Sequence, residues 1–337
     1  MKRKTYVQYV DVAKVVGMFF IVYGHMLRGG ELTKWIYSFH VPLFFFLMGT
    51  TFHYENIDLI TFLKKKAVVL LVPFFSWALI STMLFEITSS FIHLESSLQS
   101  SGVNPFINIA LGYCDFNSPL WFLPCFFITE IIMWIVQKIQ AHIGSKFLIY
   151  CVIGSFALCL MWPYMNETEI FWNAHTAVIL LPFVILGRIS SIWLNECNVS
   201  IKTIGVAIFL LGTGGVAGIH LNTPIGYLGC CYGKCLVFYL AAICSIWGIC
   251  IISKKISLGK PMKFLGRNTM SVLVMHKFLI MILLLLPGVR EYITSQYPVV
   301  CAGFTTVVML ICYGLGMIFS MNPVTSFILL GKKCNRK

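Results

Sequence analysis

Residues 7–27 read VQYVDVAKVVGMFFIVYGHML. The run suits a membrane-crossing helix, because about 30 Å of hydrocarbon needs roughly 20 mostly apolar residues. It nevertheless carries Asp11, Lys14 and His25. An ionisable side chain at mid-membrane costs roughly 2.5 to 3.5 kcal/mol on insertion scales, so each is a functional candidate. The preceding Met1-Lys2-Arg3-Lys4 is basic, but the apolar run is long, lacks a small-residue cleavage site and has further spans after it. It reads as a retained first helix rather than a signal peptide.

Nine more apolar segments follow: Trp35 to His53, Val68 to Ile87, Leu120 to Gln137, Phe147 to Trp162, and Ala174 to Leu194. Then come Ile204 to Gly218, Gly229 to Ile252, Met270 to Pro287, and Val299 to Met321, the fifth and seventh of the ten being short. The pattern predicts an all-α, polytopic integral membrane helix bundle of about ten transmembrane helices. Composition agrees. Hydrophobic residues make up 58% and charged residues 11%, against roughly 25% charged in soluble domains. No soluble repeat, low-complexity tract or appended domain interrupts the chain, so residues 1–337 read as a single membrane-embedded domain.

A net charge of +13 suggests nucleic acid in a soluble protein. Here it follows the alternation of loops. Starting inside with Lys2, Arg3 and Lys4, the even connections carry Lys64 to Lys66, Lys138 with Lys146, Lys202, and Lys254 to Arg267. The tail from Lys332 to Lys337 is basic too, whereas Thr88 to Pro119 has no Lys or Arg and Pro163 to Asn173 holds only Glu167 and Glu169. Arg28 with Lys34 and Arg290 are exceptions. The positive-inside rule therefore places both termini in the cytoplasm of a cell (plasma or inner) membrane, and the charge implies the lipid bilayer rather than nucleic acid. The thirteen cysteines form no paired framework; even the Cys230-Cys231…Cys235 cluster lacks zinc-ligand spacing, so packing is expected and no metal.

Lys14 and His25 are eleven residues apart, which puts both on one helix face, about 16 Å apart along the axis. Asp11 stands one turn before Lys14 and can partner it. An inward cation and an outward titratable base suit a site that links two sides. They suit equally a structural Lys–Asp pair with a His near a helix end. His40, in Phe39-His40-Val41-Pro42, falls near the depth of His25, and two imidazoles there suit a general base with a helper. Glu130 sits about ten residues into the fourth segment and needs a cation or a proton, with Lys14 and Arg188 as the candidate partners. Arg188 can instead snorkel to the interface. Of the neighbours His276 and Lys277, at most one is expected to face the interior.

These residues carry a resemblance. Tyr9-Val10-Asp11-Val12-Ala13-Lys14 … Tyr23-Gly24-His25 resembles the opening of the acyltransferase-3 membrane family, in particular its branch of fucose 4-O-acetylase and related acetyltransferases. Tyr37-Ser38-Phe39-His40-Val41-Pro42-Leu43-Phe44-Phe45-Phe46, Trp121-Phe122-Leu123-Pro124 … Glu130 and Leu265-Gly266-Arg267-Asn268-Thr269 … His276 are similar to three further family segments, in order. Lys14 stands where many members have Arg, and Met48-Gly49 where Ser-Gly is common.

The resemblance implies an O-acetyltransferase that moves an acetyl (acyl) group from cytoplasmic acyl-CoA to a hydroxyl of a cell-envelope or exported polysaccharide. Acetyl-CoA is then the donor substrate, with no tightly bound cofactor, and the acceptor an envelope glycan or lipid-linked saccharide. Lys14 would help hold the donor, with Arg188 and Arg267 attracting its phosphates; His25, His40 and Glu130 are the expected catalytic residues. The competing expectation is a transporter or flippase for a lipid-linked saccharide, although the chain shows no sequence-similar halves of the kind transporter repeats leave.

Overall fold

The computed structural model describes residues 8–27, 29–52, 57–89, 104–165, 170–228, 231–256, 259–285, 288–289 and 297–332. Lys2 to Lys4, Arg28, His53, residues 90–103 of the long connection, Glu167, Glu169, Cys230, Arg290 and residues 333–337 lie outside them. The described residues are overwhelmingly helical, with no strand beyond an isolated bridge between Gly226 and Cys231.

Helix α1 is Gln8–Leu27, α2 Glu31–Thr51, α3 Leu59–Ser89, α4 Pro105–Leu111 and α5 Phe122–Ile143. They are followed by α6 Phe147–Met161, α7 Ala174–Ile179, α8 Leu181–Glu196, α9 Ile201–Val216 and α10 Cys235–Lys255. The last four are α11 Gly259–Arg267, α12 Thr269–Leu285, α13 Pro298–Met321 and α14 Pro323–Leu330. Among the described residues, seven helices are long and apolar enough to cross a membrane. Two bent pairs, α7–α8 (52°) and α11–α12 (65°), raise the count to nine. The protein is a multi-pass membrane bundle.

The difference from ten spans is α2. It is 21 residues long, but Glu31, Lys34, Ser38 and His40 dilute its apolar character. Every residue from Ser38 to Thr50 is nonetheless buried. A helix buried all round does not need lipid-like side chains, because its neighbours provide the contacts. The short fifth and seventh segments gain length at their ends. A 3-10 turn extends α6 to Tyr164, and a π turn extends α9 to Leu221. In α9 only Ala207 and Gly214 are buried, while Val206, Ile208 and Phe209 face outward, as expected of a helix at the lipid boundary.

Two glycines lock the centre. A Cβ on Gly49 of α2 would lie 2.0 Å from the Val184 carbonyl oxygen, and one on Gly187 of α8 would lie 2.0 Å from that of Phe46. The two backbones touch, which is how small residues let membrane helices associate. Gly266 does the same for α11, where an added Cβ would meet Asp11 of α1 at 2.4 Å. The bend that follows at Asn268 is held by its side-chain amide, which donates to the Phe264 carbonyl at 2.7 Å.

Candidate active site

Two cavities run along α1. The larger, about 700 Å³, is lined near the start of α1 by Lys14, Lys65, Arg267, Lys332 and Glu130, and deeper by apolar side chains including Met18, Phe44, Leu47 and Phe126. The smaller, about 250 Å³, is lined towards the end of α1 by His25, Tyr37, His40, Ser118, Trp121 and Tyr227. Ile21, Phe122 and Leu273 line both. The cavities therefore abut at a neck of three apolar side chains, with cations on one side and imidazoles on the other.

The α helix repeat puts Lys14, Met18, Ile21 and His25 on one face of α1, so one stripe serves both chambers. On α2 the cavity-lining residues Phe44, Leu47, Met48 and Thr51 share a face, and Phe46 and Gly49 use the opposite one to meet α8. Arg188 of α8 is thus on the far side of α2 and lines neither cavity, a placement its position near one end of an apolar segment does not reveal. Arg267 enters the larger cavity because the bend at Asn268 turns the end of α11 across α1.

Lys332 completes the cationic lining. Helix α14 folds back on α3, where Trp77 Nε1 donates to the Leu329 carbonyl at 2.9 Å and Gly331 fits against the carbonyls of Val68 and Val69. The Lys332 ammonium then donates to Asn268 Oδ1 at 2.7 Å and to Ser320 Oγ at 2.8 Å. Partial burial lowers its pKa from the ordinary lysine value. Glu130 is buried in the wall of the same cavity, paired with Lys66 of α3 rather than with Lys14 or Arg188. It lines the larger cavity and not the smaller one that holds His25 and His40.

The imidazole chamber is built from α1, α2, α12 and the segments around Trp121 and Tyr227. Gly24 leaves room for the Tyr37 ring, which an added Cβ would meet at 3.0 Å. The Tyr37 hydroxyl reaches 3.5 Å from His25 Nδ1. His40, one turn on from Tyr37, sets its Nδ1 2.8 Å from the Ile36 carbonyl. A carbonyl only accepts, so His40 carries its hydrogen on Nδ1 and keeps a lone pair on Nε2. Tyr227 closes the far wall. Its hydroxyl donates to the Tyr37 carbonyl at 2.7 Å, and its ring stacks on Trp121 at 5.9 Å. Of the adjacent pair on α12, His276 is fully buried beside His25, and Lys277 is half-buried. Among the described residues no three His, Cys, Asp or Glu side chains converge as metal ligands do.

A chamber lined by cations, an apolar neck and a chamber lined by imidazoles thus follow one another along α1. The family model described as an acyltransferase domain, that of acyltransferase-3, matches residues 7–320. The chain belongs to the acyltransferase-3 family. No curated protein and no solved structure gives a significant match. Membership makes the protein a membrane acyltransferase, and the match covers every element that lines the two cavities except α14. Sequence reasoning alone does not point to Lys332, which returns to the cavity only through α14. Tyr37 did carry a signal, lying three residues before His40 and so on the same face of α2.

Proposed function

We propose that this acyltransferase moves an acetyl group from cytoplasmic acetyl-CoA to a hydroxyl of a cell-envelope or exported polysaccharide. The observation that carries the reading is the meeting of the two cavities at Ile21, Phe122 and Leu273. The phosphates of the donor are held by Lys14, Lys65, Arg267 and Lys332, and its thioester arm lies along α1 towards the neck. Lys14 and His25 are about 16 Å apart along the helix axis, a separation suited to an extended arm.

The acceptor hydroxyl enters the smaller chamber and gives its proton to His25, with His40 as a second imidazole beside it. The hydroxyl oxygen bonds to the thioester carbonyl carbon, the carbon–sulfur bond breaks, and the proton passes to the departing thiolate. Such positioned proton transfer typically supplies 10²–10⁴-fold. The cations Lys64 to Lys66, Lys138, Lys146, Lys202, Lys254 and Lys255 stand near helix ends that, if successive spans alternate in direction, lie on the Lys14 side. This supports an orientation in the cell membrane with the Lys14 end and both termini cytoplasmic.

Mass spectrometry of envelope glycans from cells with and without the protein tests the reading. An acetyl-sized mass difference that disappears in a His25→Ala strain is the expected result. Unchanged glycans at normal protein level overturn it.

A further inference from the structure

His276 has no task in the reaction above, yet it is placed with care. Its side chain is fully buried on α12. Its Nδ1 lies 2.9 Å from the Val272 carbonyl oxygen and 3.0 Å from that of Leu273. Two acceptors on Nδ1 put the hydrogen there and leave Nε2 with a lone pair. That Nε2 has no hydrogen-bond partner among the described residues. A buried acceptor left unused is destabilising. The ring next to it is His25, with centroids 5.3 Å apart and planes inclined at 37°. The other titratable groups facing His25 are Tyr37 and His40 from α2 and Lys277 from α12; among the described residues no carboxylate joins them.

We propose that His276 is a positioning residue for His25, its Nε2 accepting a hydrogen bond from the His25 imidazole once that ring takes up the acceptor's proton. The proposal rests on the reading of His25 as the base. When the acceptor O–H bond breaks, its proton goes to His25, which becomes an imidazolium with two N–H groups. One faces the reacting oxygen and sulfur. The other needs an acceptor, and His276 Nε2 is one that carries no charge. The oxygen's electron pair forms the bond to the thioester carbon, the carbon–sulfur pair leaves on sulfur, and the His25 proton follows it to give the CoA thiol. His276 ends each cycle unchanged. It does for His25 what the buried aspartate does for the histidine of a Ser-His-Asp triad. A neutral acceptor avoids the large cost of burying a carboxylate in the bundle.

Two variants separate this role from packing. In His276→Asn the short amide can still reach the α12 carbonyls but draws back from His25. In His276→Gln the longer side chain carries its carbonyl oxygen to where Nε2 was. The measurement is acetyl transfer from radiolabelled acetyl-CoA in membranes that carry the native acceptor, as kcat and as KM for acetyl-CoA. His276→Asn is expected to lose about 10–100-fold in kcat with KM unchanged, and His276→Gln to stay within about threefold of the native rate. In a His25→Ala background, His276→Asn is expected to cost nothing further, because residues acting through one another are not additive. Equal rates for the Asn and Gln variants overturn the proposal, as does an additive loss. Full activity of His25→Ala overturns instead the assignment of His25 as base; a dead His25→Ala with an unimpaired His276→Asn removes only the positioning role of His276.

Discussion

Glu130 of α5 and Lys66 of α3 form an ion pair inside the bundle, with Glu130 in the wall of the cationic cavity. The carboxylate is matched to Lys66, which does not line that cavity. Lys14, Lys65, Arg267 and Lys332 thus line that cavity with more basic than acidic side chains.

The pair gives the first prediction. Removing one partner of a buried ion pair leaves a charge uncompensated and costs about 3–5 kcal/mol. Glu130→Leu is therefore expected to lower the thermal unfolding midpoint of the detergent-purified protein clearly. Adding Lys66→Met to it should recover most of the loss. A single variant as stable as the native protein would show that the pair has no structural weight.

Gly49 and Gly187 give the second. Each added Cβ would sit 2.0 Å from a carbonyl oxygen on the facing helix. Overpacking typically costs about 1–3 kcal/mol, and backbone in contact with backbone has no side chain to move aside. Gly49→Ala and Gly187→Ala should reduce folded yield, whereas Gly154→Ala and Gly205→Ala, which meet nothing within 4 Å, should not. Fluorescence-detected size-exclusion profiles of the four variants make the comparison.

Lys14 lines the donor cavity in the proposed reaction, so Lys14→Met should raise KM for acetyl-CoA about tenfold or more, the value of one charge-assisted hydrogen bond. Lys14→Arg should keep most of the affinity. Direct titration of acetyl-CoA onto purified protein reads both, and an unchanged affinity in Lys14→Met would remove Lys14 from the donor site.

The neck is open to a steric test. Leu273→Trp adds bulk where the two cavities abut. Acetyl-CoA should still bind, held at the cationic end, while transfer to the glycan falls steeply. Binding and transfer measured on the same membranes distinguish this from misfolding, which would abolish both.

Much of this site is legible in the amino-acid order alone. Lys14 and His25 follow from helical spacing, and each lines a cavity on the same stripe of α1. His40 joins His25 because a short connection returns α2 beside α1. The spans are legible too, although α2, buried among its neighbours, is more polar than the other spanning helices. What local pattern does not give is long-range crossing. Glu130 pairs with Lys66, 64 positions earlier, because α3 and α5 pack together, and Arg188 is drawn behind α2 by the close approach of α2 and α8 at Gly49 and Gly187. Lys332 reaches Asn268 only after α14 has folded back on α3. Each depends on which helix faces are neighbours, and hydropathy carries no record of that.

Ile21, Phe122 and Leu273 have an electrical meaning as well as a steric one. A bundle with a hollow at each end is two half-channels laid head to head, and a thread of water between them would conduct protons across any membrane the protein spans. Three hydrocarbon side chains offer such a thread no hydrogen bonds. They make the join an insulator, so that an acyl group can be handed on without discharging the membrane.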